Sequence, residues 1–140
     1  MRYRTVYVLS SCFSFSFGFF LYLTIEILYK RFFSGSPTHF SMGLLAGISF
    51  VFLYFLDDSP LGFGVKMLAG GVLITVLEFF LGIYLNLYLQ LGIWDYRDQP
   101  FDLLGQICPV FSLIWVAFSG AVIGFNRFLK RIVKFLCLCD

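Results

Sequence analysis

Four long apolar runs, separated only by short polar connections, set the terms on which this chain can fold. They cover about 5–29, 40–56, 63–90 and 103–125, and Lys and Arg gather at their edges. A helix needs about 20 consecutive apolar residues to cross the hydrocarbon core of a bilayer. A chain of 140 residues that is 60% hydrophobic and 13% charged lies outside the composition of soluble domains. The expectation is an all-α integral membrane protein, with residues 1–140 forming a single membrane domain. Its architecture is read as a four-transmembrane-helix bundle with a short basic amphipathic C-terminal tail over 126–140, leaving no room for a separate soluble domain.

The first run ends in Glu26, Lys30 and Arg31 and is longer than the apolar core of a signal peptide, so it reads as a retained helix. The net charge of +2 is too small to suggest nucleic acid. Four spans put both termini on one side, together with Arg2, Arg4, Lys66, Arg127, Lys130, Arg131 and Lys134. Only Lys30, Arg31 and Arg97 fall opposite, so the positive-inside bias predicts a multi-pass cell-membrane protein with cytoplasmic termini. The tail has its cations on one side and Phe128, Leu129, Ile132, Val133 and Phe135 on the other. It reads either as an amphipathic helix suited to an anionic leaflet or as an extension of the fourth span. Cys12, Cys108, Cys137 and Cys139 form no framework, and with one histidine in the chain no zinc site or other cofactor is expected.

Polar residues inside the runs follow helical spacing. Ser10, Ser14, Gly18, Tyr22, Glu26 and Lys30 recur every fourth residue, and Gly71, Thr75, Glu78, Gly82, Asn86 and Gln90 form a second stripe. Such stripes are expected to face protein, because lipid offers polar groups no partners. Gly43 and Gly47, and Gly120 and Gly124, have the four-residue spacing that allows close helix approach. The glutamates at 26 and 78 each precede a connection into the next span, a faint internal repeat.

Glu78, about 18 Å along its helix from Lys66, lies near mid-membrane, where an ionised group is costly. It is either a proton- or cation-handling residue or a hydrogen-bonded clamp between helices. Glu26 is either a second candidate or simply the (i, i+4) partner of Lys30. His39 and the turn Asp95, Tyr96, Arg97 and Asp98 lie on the outer side with Asn86, and all are candidates for ligand or ion binding. The alternatives are an interfacial histidine and a self-satisfied turn, with Trp94, Pro100, Phe101, Gly105 and Gln106 structural and Asp102 capping the fourth helix. Glu78, Asn86, His39 and the 95–98 turn are expected to converge. No G-x-x-x-x-G-K-[ST], H-E-x-x-H or G-x-S-x-G run occurs in the sequence, so no ATPase, hydrolase or other enzyme activity is expected of this chain.

Leu77-Glu78-Phe79, Gly82, Asn86, Trp94-Asp95-Tyr96, Pro100-Phe101 and Gly105-Gln106-Ile107-Cys108, with Glu26 and Thr38-His39-Phe40-Ser41-Met42 upstream, resemble the ABC-transporter type IV membrane protein family in order and spacing. The likeness spans roughly 25–119. Phe40, Arg97 and Asp102 depart from the residues usual there, as does the Cys108-Pro109 junction. The resemblance implies a permease-like transporter component. Four helices bury too little to form a gated pathway alone, so such a component needs a homo-oligomer, another membrane subunit or a separate ATPase, besides membrane lipid. The competing expectation is a non-transport module for lipid binding, sensing or assembly, whose acidic residues are structural.

Overall fold

The computed structural model describes residues 2–34 and 38–138. Its regular secondary structure among the described residues is helical, apart from one isolated bridge between Leu103 and Ile107. Helix α1 (Arg2–Tyr29) ends in a π-helical turn, Lys30–Ser34, and α2 is Phe40–Leu56. Helix α3 (Phe63–Gly82) ends in a second π-helical segment, Ile83–Tyr88, and α4 is Pro109–Leu138. Three stretches, Thr5–Phe32, Phe63–Tyr88 and Pro109–Phe135, are long and apolar enough to cross a membrane. The 17 residues of α2 rise about 26 Å, slightly less than a full hydrocarbon core.

The closest pairings are α1 along α2 and α3 along α4. Glycine makes the first pairing possible. A Cβ on Gly43 would lie 2.8 Å from Leu23, and one on Gly47 would lie 2.8 Å from Phe15. Between the two hairpins, Phe50 and Leu53 of α2 meet Ile74 of α3 and Val122 and Ile123 of α4, with Trp115, Phe118 and Phe125 packed around them. Large apolar side chains such as Phe20, Val72, Phe80 and Leu113 point outward, while Ser10, Ser14, Ser49, Glu78, Ser119 and Asn126 are buried. An apolar exterior around a polar-seamed interior is what a bilayer solvent selects. In that seam, Ser14 Oγ donates to Asn126 Oδ1 at 2.7 Å and Asn126 Nδ2 donates to the Phe50 carbonyl at 3.2 Å, joining α1, α2 and α4.

One boundary differs from expectation. The fourth helix begins at Pro109 and not near 103, because residues 103–107 close a hydrogen-bonded turn (Leu103 N to Ile107 O, 2.9 Å). Proline then occupies the first helical position, where its missing N–H costs nothing. At the other end α4 runs unbroken to Leu138, so the basic segment extends the fourth helix, while 139–140 lie outside the described residues. Asn126, taken as the start of the tail, is fully buried in the bundle.

The end of the bundle that carries the start of α1 and the end of α4 is tied by charge. Asp57, nearly buried, accepts from Arg127 Nε at 2.7 Å and has Lys66 Nζ at 3.6 Å and Lys130 Nζ at 3.7 Å. Lys130 also meets Asp58 Oδ1 at 2.7 Å and donates to the Tyr54 carbonyl at 2.6 Å. Neither Asp57 nor Asp58 was among the candidate residues. Their signal was two adjacent acids at a span end facing three cations, Lys66, Arg127 and Lys130, at the ends of other spans.

Candidate functional site

The opposite end is built around residues 89–108, which fold back onto the bundle. The widened π turn starts this. Leu89 N bonds the Tyr84 carbonyl at 2.9 Å and Leu91 N bonds the Leu85 carbonyl at 2.9 Å, unwinding α3 into the loop. Gln90 adopts φ 54° and Gly92 φ 57°, the left-handed conformation that reverses the chain. Gln90, the last member of the α3 polar stripe, is therefore exposed at the helix end and does not continue the buried face.

Asn86 holds the returning segment. Its Nδ2 donates to the Trp94 carbonyl at 3.0 Å and to Gln106 Oε1 at 2.8 Å, and its Oδ1 accepts from Ile93 N at 2.7 Å. Trp94 Nε1 donates to the Gln106 carbonyl at 3.1 Å, and Gln106, itself buried, donates to the Leu104 carbonyl at 2.9 Å. Asp102 accepts from Gly105 N at 2.7 Å, so it ties this turn and does not cap α4 as expected. Gly82 is where the loop touches α3. A Cβ there would lie 2.5 Å from Gln106 Oε1 and 3.1 Å from Trp94.

Glu78 sits beneath this lid, 1% exposed. Tyr96 Oη, from the loop, donates to Oε1 at 2.8 Å, and Trp115 Nε1, from α4, donates to Oε2 at 2.7 Å. Tyr96 stacks on Phe111 with ring centroids 4.5 Å apart, which fixes its reach. Burial, and then the neighbouring Glu78 carboxylate, push the Tyr96 phenol above its ordinary pKa, so it remains a protonated donor. Each oxygen of Glu78 thus has a neutral donor, and no lysine or arginine pairs with it among the described residues.

The α1 stripe faces the same region. Tyr22 packs near Trp115 (centroids 6.5 Å apart), and one helical turn further Glu26 Oε1 pairs with Lys30 Nζ at 2.8 Å, both side chains about nine-tenths buried. Lys30 also reaches the Ile93 carbonyl at 3.4 Å, attaching α1 to the loop. Glu26 Oε2 is buried with no hydrogen-bond partner among the described residues. Its other oxygen carries the structural ion pair.

The remaining candidates lie apart from Glu78. His39 caps α2, with Nδ1 2.7 Å from Ser41 Oγ, and its ring lies tilted against Phe40; no hydrogen bond or ion pair joins it to Glu26, Glu78, Asp95 or Asp98 among the described residues. Arg97 N donates to Asp95 Oδ1 at 3.0 Å, and the Arg97–Asp95 ion pair is 3.7 Å and solvent-exposed, as is Asp98. The residues brought together are Glu78, Tyr96, Trp115, Asn86, Trp94 and Gln106. Tyr22 entered the sequence reading only as a member of the α1 stripe, and Trp115 was not among the candidates. Trp115 lies on the α4 face that packs on α3, the one available sign that its indole N–H would need a buried acceptor.

A family model described as "Putative ABC-transporter type IV" matches residues 5–137. No curated protein matches the chain, and no solved structure does.

Proposed function

Because the chain belongs to the putative ABC-transporter type IV family, we propose that it is a membrane-embedded subunit of a transporter-type assembly, crossing the bilayer four times with cytoplasmic termini. In this reading Glu78 is an internal clamp that holds the 89–108 lid on the bundle, not a carboxylate that meets a passing solute. The occupancy of both Glu78 oxygens by Tyr96 and Trp115 carries the reading. The small space beside Trp115 supports it too. The space between Tyr22, Ser49, Ile74, Trp115 and Phe118 is a cavity of about 20 Å³, room for about one water. A solute pathway then requires a second copy or a different membrane subunit, and ATP hydrolysis requires a separate chain.

Reconstituting the purified chain alone into liposomes under a pH gradient tests this directly. The gradient should decay no faster than in protein-free liposomes, with wild type and Glu78→Gln alike. A leak that Glu78→Gln abolishes would make Glu78 a conducting residue and refute the clamp. The assembly claim is tested by mild solubilisation from the native membrane. The chain should migrate well above its 16.1 kDa mass together with an ATP-hydrolysing partner, and migration as a free monomer would count against it.

A further inference from the structure

At the end opposite the lid, a cavity of about 180 Å³ is lined by Tyr7 of α1, Tyr54 at the end of α2, Asp58, and Lys130, Arg131, Val133 and Lys134 of α4. Its walls carry three cations against one carboxylate. That carboxylate is already engaged, since Lys130 pairs with one Asp58 oxygen at 2.7 Å and the Tyr7 hydroxyl donates to the other. Burial opposes ionisation of Asp58, but the bonds from Lys130 and Tyr7 and the charges of Lys130 and Lys66 outweigh it and hold its pKa below the usual carboxylate range. Lys130 is held in place by the Tyr54 carbonyl and by the Tyr54 ring, 4.3 Å below its ammonium.

Arg131 and Lys134 are different. Both are exposed, both line the cavity, and neither makes an ion pair among the described residues. Spaced (i, i+3) on α4, they stand on neighbouring turns of one side of the helix. A preformed concavity with two uncommitted cations above a fixed Lys130 matches a phosphate group, which a guanidinium can bind through two parallel hydrogen bonds and an ammonium through a point charge.

The surroundings select the source of that phosphate. The cavity lies where the apolar span of α4 gives way to its basic end, and Val133 forms part of its wall. Tyr7 packs against Phe55 with ring centroids 6.1 Å apart, and Phe55 is exposed, as are Ile132 and Phe135 of α4. A ligand seated here has charge at one end and a wide apolar surface beside it. We propose that this cavity is a binding site for the phosphate of an anionic phospholipid, whose acyl chains lie along the exposed apolar faces of α2 and α4. The site is independent of the Glu78 reading, since none of its residues touches the lid.

The test is lipid retention by the full chain in detergent, read by native mass spectrometry with phosphatidylglycerol and phosphatidylcholine at equal concentration. Phosphatidylglycerol should be retained at least about tenfold better. Removing both free cations with Arg131→Gln and Lys134→Gln should cut that preference by about tenfold or more, at about fivefold per cation. Both positions are exposed, so the double variant should fold, and its melting temperature checks that it does. Arg31→Gln, at the other end of the bundle, is the control and should keep the preference. Equal retention of the two lipids, or an undiminished preference in the double variant, overturns the site. Displacement of the lipid by millimolar inorganic phosphate overturns the lipid assignment, because a free anion would then satisfy the cavity as well.

Discussion

Replacing Glu78 by leucine and, separately, by glutamine distinguishes a clamp from a charge-handling residue. Leucine removes both acceptors and leaves the Trp115 indole N–H and the Tyr96 hydroxyl buried without partners. Each orphaned donor costs about 1–3 kcal/mol, so the loss should reach about 2–6 kcal/mol. For a chain of this size that corresponds to a fall of about 8–20 °C in melting temperature. Glutamine behaves differently. Its carbonyl accepts from Trp115, while its amide donates to the Tyr96 oxygen, which has lone pairs to accept with. Both contacts survive with the neutral side chain, so the change should stay within about 1 kcal/mol. Tryptophan fluorescence in detergent reports the melt, because the chain has two tryptophans, Trp94 in the lid and Trp115 on α4 bonded to Glu78 beneath it. If glutamine destabilises as much as leucine, the negative charge itself is required and the account fails. If neither matters, the two hydrogen bonds contribute nothing.

Other consequences are equally checkable. Gly82→Leu should lower the melting temperature markedly, since even a Cβ there meets Gln106 and Trp94, whereas Gly124→Ala meets nothing within 4 Å and should gain up to about 1 kcal/mol of helix propensity. Asp57→Asn should cost about 1–3 kcal/mol, because Lys66, 5% exposed, loses the carboxylate at 3.6 Å but keeps its hydrogen bond to the Asp57 carbonyl. For Asp58 the folded-state pKa lies below the unfolded value. Its contribution is therefore fully present above about pH 4 and is lost as pH falls through the folded pKa, so acid melts should show a limb that Asp58→Asn flattens.

The two polar stripes were legible in the sequence because a buried polar residue in a membrane helix has few places to go. Ser10, Ser14 and Gly18 are buried along α1 and Lys30 in the turn that follows it, and Gly71, Glu78 and Gly82 along α3. The exception, Gln90, failed for a local reason. A π turn and a left-handed residue ended the helix there, and apolar composition does not signal either one. The lid was read as a polar connection lying on the outside, yet Asn86 and Gln106 draw it inward through bonds between residues 20 apart. Composition reveals that Trp94, Asp95 and Tyr96 are unusual company for one another. It does not reveal that the tyrosine turns toward Glu78 while the aspartate stays in solvent, which depends on the backbone of the 95–105 turn, where Tyr96 N bonds the Gly105 carbonyl at 2.8 Å. The charge network at Asp57 escaped notice because its members lie up to 73 residues apart and meet only once α2, α3 and α4 are packed.

Carboxylate labelling in the intact, membrane-embedded protein tests the sealed Glu78 most directly. A water-soluble carbodiimide with an amine nucleophile, followed by peptide mass spectrometry, reports each acid separately. Asp95 and Asp98 on the exposed turn should be modified readily and Glu78 should remain unmodified, becoming reactive when Gly82→Leu lifts the lid. Modification of Glu78 in the unaltered protein at a rate matching Asp98 would show an open aqueous path to it and contradict the clamp.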